Sequence, residues 1–179
     1  MKSNTLIFAA VAAGLLLLVS NNVTASGNGY SNNQLQQTAN LETFSPQAHP
    51  DGSLNGVQLY SIGYGHQIQP NEQYLLNQTI TQAQATQLLA ADLQTVAAAI
   101  NSSGQNLTQG QYDALTDFGY NAGISAMNKV LATLQSSGPD AATAEMAQYI
   151  YWHPTPGGAA VVNQDLVNRR NIEIQTFNS

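Results

Sequence analysis

Apolar residues recur at helical spacing over most of the second half of the chain, most clearly between residues 81 and 100. Thr81 followed three positions later by Gln84 is a capping-box pattern, which is typical of a helix start. The apolar positions that would share the inner face are Ala85, Leu88, Leu89, Leu93 and Val96. A helix running to Ile100 would be roughly 30 Å long, enough to connect two lobes.

Weaker helical patterns surround this long helix. A second capping box at Thr108 and Gln111 predicts another helix start, and the serines and glycine at 102–104 would separate the two helices. Further helices are predicted over residues 125–135, 140–152 and 163–177. A first helix should begin near residue 33, extend to about Phe44 and end before Pro46.

Residues 49–64 follow a different pattern. Turn-forming residues occupy 49–56, and the stretch from Gln58 to Tyr64 is typical of a strand. The whole pattern predicts an α+β fold, with a small N-terminal lobe carrying a β-hairpin and a mainly helical C-terminal lobe. The long helix would join the lobes around one cleft.

The first 25 residues have the organisation of a secretory signal peptide. Lys2 precedes an uninterrupted apolar run from Leu6 to Val19, and small residues end at a possible cleavage point after Ala25. A helix of that run would reach about 21 Å, short of the roughly 30 Å bilayer core, so the alternative is a weak membrane anchor. We therefore predict a signal peptide or anchor over 1–25, a linker over 26–33 and one catalytic domain over 34–179.

Composition narrows the possible partners. Without Lys2, three basic residues remain against ten acidic ones, a formal charge of −7. Such a chain is a poor nucleic-acid binder. The absence of cysteine excludes disulfides and thiolate metal sites. An exported protein would meet the membrane only through its N-terminal segment.

Two acids near the strand suggest glycosidase chemistry. Cleavage of a glycosidic bond needs one protonated carboxyl to donate to the leaving oxygen and one ionised carboxylate. Glu42, flanked by the apolar Leu41 and Phe44, suits the protonated role, which needs a drier environment. Asp51, before Gly52, suits the ionised role, which needs a more solvated environment. The alternative is that Glu42 is an ordinary surface acid and Asp51 a turn former.

A longer series of motifs resembles the phage-type lysozymes, the endolysins of glycoside hydrolase family 24. The series covers residues 41–177 in order: Glu42, Asp51, Ser61-Ile-Gly-Tyr-Gly-His66, Thr81-Gln-Ala, Leu88-Leu89, Asp92-Leu93, Asp113-Ala-Leu, Phe118, Asn121-Ala-Gly123, Trp152, Gly157-Gly158, Asp165-Leu-Val-Asn-Arg-Arg170 and Glu173. The resemblance implies a lysozyme fold and a cofactor-free, metal-free monomer. It also implies hydrolysis of the β-1,4 bond from N-acetylmuramic acid to N-acetylglucosamine in bacterial peptidoglycan. Such an enzyme would act in the periplasm, outside the cell or from a virion.

The resemblance also assigns roles. It implies that Glu42 is the general acid, Asp51 the second carboxylate, and Ser61 the hydroxyl that holds the attacking water in inverting members. We expect substrate contacts from three further motif residues, Tyr64, His66 and Asn121. His66 could instead be a hydrogen-bonded structural residue, and Asn121 could belong to a helix-end turn.

Three side chains late in the chain complete the candidate set. Arg169 and Arg170 are expected to support the site, one of them by pairing with Glu42; the alternative is a local pair with Glu173. Trp152 could stack on sugar, but a lone Trp near a helix end favours a core position.

One departure from the family leaves other functions open. The family usually has about six residues from the Asp to the hydroxyl residue, whereas Asp51 and Ser61 are ten apart, which predicts an inserted loop. If Asp51 did not reach the cleft, Glu42 alone could act as acid and then base in a lytic transglycosylase. A third possibility is a wall-binding or virion protein that has kept the scaffold without turnover.

Overall fold

The computed structural model describes residues 29–153 and 158–179 and has the α+β architecture predicted from the sequence. The predicted signal peptide or anchor, 1–25, lies outside the described residues. The helices are α1 (Asn32–Leu41), α2 (Gln82–Ser102), α3 (Gln109–Ala122), α4 (Ile124–Ser137), α5 (Pro139–Met146) and α6 (Gln164–Phe177). The strands are β1 (Ser45–Leu54), β2 (Val57–Gly63), β3 (His66–Gln67), β4 (Tyr151–Trp152) and β5 (Val161–Val162), and Pro70–Asn77 forms a 3₁₀ segment.

Helix α2 connects the two lobes, as its pattern predicted. Its capping box is formed, with Thr81 N–H donating to Gln84 Oε1 at 2.8 Å and Gln84 N–H donating to Thr81 Oγ1 at 3.2 Å. Ala85 packs in the small lobe with Ile62, Ile68, Leu75 and Ile80. The other end of α2 packs in the helical lobe with Tyr112, Leu115, Phe118, Met127 and Val130. The lobes therefore share one continuous rigid element.

The small lobe is built on a three-stranded antiparallel sheet in the order β1-β2-β3. Asn55 and Gly56 connect β1 to β2 with φ values of 51° and 79°, the left-handed conformations that a tight two-residue hairpin requires. The prediction that residues 49–56 form a turn region was wrong, because only the tip turns and the rest is strand. β1 is an edge strand of this sheet, the position in which prolines such as Pro46 and Pro50 are tolerated.

The first helix is shorter than predicted at its C-terminal end. It stops at Leu41, and Glu42 is already extended, with φ −103° and ψ 145°. At the other end, Ser31 caps the helix and its backbone N–H and hydroxyl donate to Asp113 at 2.7 and 2.6 Å. Tyr30 donates to the carbonyl of Ala90 at 3.0 Å. The part of the predicted linker that begins at Tyr30 is thus packed on the helical lobe.

The helical lobe differs from prediction in one place. Helices α4 and α6 follow their predicted ranges closely and α3 begins where its capping box predicted, but the predicted helix over 140–152 ends at Met146. Beyond it, the carbonyl of Ile150 accepts from Asn163 N–H at 2.8 Å, and Tyr151 and Trp152 form a small ribbon with β5. Trp152 is 48% exposed, so its predicted core position was wrong. None of the described helices has both the length and the apolar character needed to cross a bilayer.

Candidate active site

A cleft of about 860 Å³ lies between the hairpin lobe and the helical lobe. Four of the predicted site residues line it: Glu42, Asp51, His66 and Asn121. The remaining lining residues come from the turn before β3, from the segment after it, and from helices α2, α3 and α4: Gly65, Gln67, Gln69, Asp92, Thr95, Val96, Gly119, Tyr120, Gly123 and Ile124. The site is therefore assembled from both lobes.

Glu42 enters the cleft because the chain leaves the helical conformation there. Its Oε1 accepts a hydrogen bond from Arg169 Nη1 at 2.5 Å, and its side chain is 23% exposed. Gly65, at φ 95°, lies directly opposite, where a Cβ atom would be 4.0 Å from Glu42 Oε2 and 3.2 Å from the Tyr120 hydroxyl. A glycine at this position lets the backbone approach the carboxyl while leaving it accessible from the cleft.

Arg169 is held in place by a second carboxylate. Its Nε and Nη2 each donate to Asp117 at 3.0 Å, a two-point contact that fixes the plane of the guanidinium. Asp117 is fully buried and also accepts from Thr38 Oγ1 at 2.7 Å. Burial alone would raise the pKa of Asp117, but the charge and hydrogen bonds of Arg169 outweigh it and the pKa lies below its usual value. The predicted pairing of an arginine with Glu42 is formed by Arg169.

Asp51 reaches the cleft in spite of its ten-residue separation from Ser61. The extra residues lengthen the β1-β2 hairpin, in which His49 pairs with Ser61 and Pro50 pairs with Tyr60. The register shifts between Pro50 and Ser53, so one additional β1 residue bulges out next to Asp51. Ser61 Oγ donates to Asp51 Oδ2 at 2.5 Å. The Ser61 side chain is buried and oriented toward this carboxylate.

His66 lies between two carboxylates on different elements. Its Nδ1 is 2.9 Å from Asp92 Oδ2 on α2, and its Nε2 is 2.9 Å from Glu72 Oε2 in the 3₁₀ segment. Burial would lower the pKa of His66, but the hydrogen bonds and charges of Asp92 and Glu72 outweigh it and the pKa lies above the usual value. His66 therefore ties the sheet to α2, in agreement with the structural alternative, although its ring also borders the cleft.

This clamp makes a prediction about stability and pH. We expect Asp92→Asn to lower the free energy of unfolding by about 1 to 2 kcal/mol at pH 5.5, because Asp92 is partly exposed and solvent weakens the pair. The pKa of His66 is raised on folding, so this stabilisation is complete below the unfolded value of 6.5 and declines as the pH rises through the folded value. Urea unfolding at pH 5.5 and pH 9 measures the difference. An equal loss at both pH values would contradict the clamp.

Two other predicted site residues do not line the cleft themselves but contact residues that do. Arg170 is buried and its Nη2 donates to Asn121 Oδ1 at 2.7 Å, which orients an amide that lines the cleft. Tyr64 is not among the lining residues: its ring packs against Phe44 at 5.6 Å, and its carbonyl accepts from the Tyr120 hydroxyl at 2.8 Å. Within residues 29–153 and 158–179, no group of three or more acidic, His or Cys side chains is arranged to hold a metal ion.

Comparison with known proteins places this geometry in a family. The sequence profile of the phage lysozymes matches residues 39–173, which include Glu42, the whole cleft and Arg169. The chain belongs to the phage lysozyme family. The predicted resemblance is thereby confirmed at the level of the phage lysozymes.

Similar proteins include one curated phage lysozyme relative and several solved structures. The endolysin of Bacillus phage PZA is 36% identical over 125 residues, which are 67% of this chain and 44% of that protein. This chain therefore spans less than half of the endolysin's length. The muramidase domain of SpmX from Asticaccaulis excentricus has a TM-score of 0.71 at 27% identity and covers 85% of this chain and 99% of its own. An endolysin from Escherichia coli O157:H7 phage FAHEc1 has a TM-score of 0.68 at 26% identity, covering 88% and 96%.

Several residues that build this phage lysozyme cleft were not predicted as site residues. Asp117 and Tyr120 occur in an ordinary amphipathic helix, and nothing in their spacing indicates that one holds Arg169 and the other borders Glu42. Asp92 did carry a signal, because it is the single charged residue in the 21-residue helix α2. A lone charge on an otherwise neutral helix indicates a specific partner, and here the partner is His66.

Proposed function

We propose that this chain is a muramidase, a glycoside hydrolase that cleaves the β-1,4 bond between N-acetylmuramic acid and N-acetylglucosamine in bacterial peptidoglycan. The observation that carries the proposal is Glu42, held by the buried Arg169 in a cleft that Asp51 also lines. Membership of the phage lysozyme family and the muramidase and endolysin neighbours support the same conclusion. Its substrate would place its action outside the cytoplasmic membrane, in the periplasm or beyond it.

The mechanism follows from the two carboxyl groups. Protonated Glu42 donates its proton to the glycosidic oxygen as the bond to the leaving sugar breaks. The positive charge that develops on the other sugar ring is stabilised by ionised Asp51. Arg169 holds the Glu42 side chain in one conformation, so little further conformational entropy is lost when the reaction occurs. Nothing in this sequence of steps requires a metal or an organic cofactor.

Ser61 supports this chemistry through Asp51. Ser61 is 1% exposed and its hydroxyl already donates to Asp51, so an attacking water would meet the Asp51 carboxylate at the cleft surface. In an inverting reaction that water attacks the sugar from the face opposite the leaving group. We therefore assign Asp51 as the base or electrostatic partner and Ser61 as the group that fixes its orientation.

Paired variants of Asp51 and Ser61 test this assignment. We expect Asp51→Asn to reduce the rate of peptidoglycan solubilisation by about 100-fold or more, because the carboxylate is lost. Ser61→Ala should cost less, about tenfold, since it removes one orienting hydrogen bond and leaves the carboxylate. Val57→Ala, at the exposed tip of the same hairpin and outside the cleft, is the control. Nearly full activity in both variants would favour a lytic transglycosylase that uses Glu42 alone.

Binding without turnover is the remaining alternative. A wall-binding protein on this scaffold would sediment with purified sacculi and release no soluble fragments, whereas a muramidase would release them. The same preparation of sacculi, assayed for bound protein and for soluble sugar, distinguishes the two.

A further inference from the structure

Behind the cleft, a third buried carboxyl contacts the arginines that support the site. Glu173 on α6 is 0% exposed. Its Oε1 accepts from Arg170 Nη2 at 2.6 Å and lies 3.5 Å from Arg169 Nε. Its Oε2 is also buried, and no N–H or O–H group of the described residues donates to it. One oxygen of Glu173 therefore has ion-pair partners, while the other has no donor.

The neighbour of Glu173 on α3 is Asp117, another carboxyl. Arg169 Nε contacts both of them, at 3.0 Å from Asp117 Oδ2 and 3.5 Å from Glu173 Oε1. Two ionised carboxylates held this close inside a protein repel each other, so a proton on one of the two is favoured. Asp117 already receives three hydrogen bonds, two from Arg169 and one from Thr38, and is suited to the charged form. Glu173 Oε2, which receives no hydrogen bond from the described residues, is therefore the oxygen that would carry the proton.

We propose that Glu173 is a positioning residue that stays protonated at neutral pH beside Asp117, so that the charge of Arg169 remains shared between Asp117 and Glu42. The titratable and charged groups facing Glu173 are Asp117 from α3 and Arg169 and Arg170 from its own helix, with Glu42 one contact further on. With Glu173 neutral, the buried anion beside Arg169 is Asp117, and Arg169 also reaches Glu42. An ionised Glu173 would add an anion to this buried cluster and compete with Glu42 for Arg169.

The direction of the Glu173 titration agrees with the geometry. Burial raises the pKa of Glu173 well above its usual value, and the charge of Asp117 raises it further; Arg170 and Arg169 oppose these effects without cancelling them. The Glu173 carboxyl thus binds a proton in the folded chain at a pH where it releases it in the unfolded chain. Folding and proton uptake at this residue are therefore linked.

Carboxyl NMR of the full chain tests the protonation directly. The sequence has four glutamates, so labelling glutamate with ¹³C at the side-chain carboxyl gives four signals. We expect one signal to remain at the position of a protonated carboxyl at pH 7. It should be absent from Glu173→Gln and present in Glu42→Gln, which excludes the catalytic glutamate as its source. If the Glu173 variant does not fold, the wild-type and Glu42→Gln spectra still decide: four ionised carboxyls at pH 7 in the wild type would overturn the proposal.

Stability of the Glu173→Gln variant gives a second readout. Glutamine keeps an acceptor for Arg170 and carries no charge, so it imitates the protonated acid. As pH rises from 5.5 to 7.5, the unfolding equilibrium constant of the wild type relative to Glu173→Gln should increase about tenfold per pH unit, because only the wild type releases a proton on unfolding. A ratio that stays constant would mean that Glu173 is ionised in the folded protein. Glu173→Asp, which keeps a titratable group but shortens it, is the matched comparison.

The catalytic consequence rests on the proposed muramidase function. Glu173→Gln should keep kcat on peptidoglycan within about threefold of wild type, and Glu173→Leu, which offers no acceptor to Arg170, should lower kcat more than KM. A Gln variant as inactive as the Leu variant would contradict the positioning role. If the wild type released no fragments, the muramidase proposal would fail while the NMR and stability measurements would still decide the protonation of Glu173.

Discussion

Replacing Glu42 with glutamine should reduce the solubilisation of peptidoglycan by about 1,000-fold or more, because general acid catalysis commonly contributes 10² to 10⁴ in rate and glutamine cannot supply the proton. The fold should survive, since the amide oxygen of glutamine can still accept the hydrogen bond from Arg169. Release of soluble muropeptides from purified sacculi measures the loss, and circular dichroism verifies the fold.

Asp140→Asn is a suitable control for that experiment. Asp140 is exposed in the first turn of α5 and does not line the cleft, so its neutralisation should leave the rate near that of the wild type. Substantial lytic activity in the Glu42 variant would remove Glu42 from the reaction. That result would also leave the contact between Arg169 and Glu42 without a catalytic explanation.

Replacing Arg169 with methionine should lower the free energy of unfolding by about 3 to 5 kcal/mol, the usual cost of breaking a buried charge pair by removing one partner. Arg169 is 6% exposed, and its loss would leave Asp117 buried without its principal cation. Glu42 would lose the hydrogen bond that Arg169 donates to it, so the rate should fall as well. Urea denaturation, with the linear extrapolation to water, gives the stability change.

Lys129→Met provides the contrast for the arginine variant. Lys129 pairs with Glu145 at 2.7 Å, but its side chain is 61% exposed, so solvent already stabilises its charge. The denaturation midpoint of this variant should stay close to that of the wild type. If the Arg169 variant unfolded at the same urea concentration as the Lys129 variant, the buried network would not have the structural role assigned to it.

The parts of the fold that the sequence predicted well depend on local signals. Thr81 with Gln84 and Thr108 with Gln111 are complete capping boxes, and each marks a helix start within one residue. Such caps act over three or four positions, so no tertiary partner is needed to interpret them. The same locality explains why the predicted helices over 125–135 and 163–177 agree with α4 and α6.

The errors arose where tertiary contacts override local preference. Pro50 and Gly52 are turn formers by composition, yet they lie in β1 because it is an edge strand that accepts both residues. The helix predicted over 140–152 is shortened because Arg170 and Asn163 bind the carbonyls of Tyr149 and Ile150, partners more than ten residues away. Those contacts leave no trace in the hydrophobic pattern.

For the site, the residue types were predictable, but among their partners only the arginine beside Glu42 was. Chemistry suggested Glu42 and Asp51 as candidates, and the family motifs strengthened them and added Ser61 and the late arginines. The contact between Arg169 and Asp117 joins residues 52 positions apart, and that between Arg169 and Glu42 joins residues 127 apart. No periodicity reports on such separations, so the buried network behind Glu42 became visible only in three dimensions.

The most direct test of the proposed muramidase activity is the mass spectrum of the muropeptides that the protein releases from purified peptidoglycan, with the Glu42→Gln variant as the blank. A muramidase adds one water across the bond and leaves a free reducing muramic acid end, and we expect products of that mass. Products lighter by one water would carry 1,6-anhydro ends and would contradict hydrolysis, showing instead a lytic transglycosylase in which Glu42 acts without the participation of Asp51.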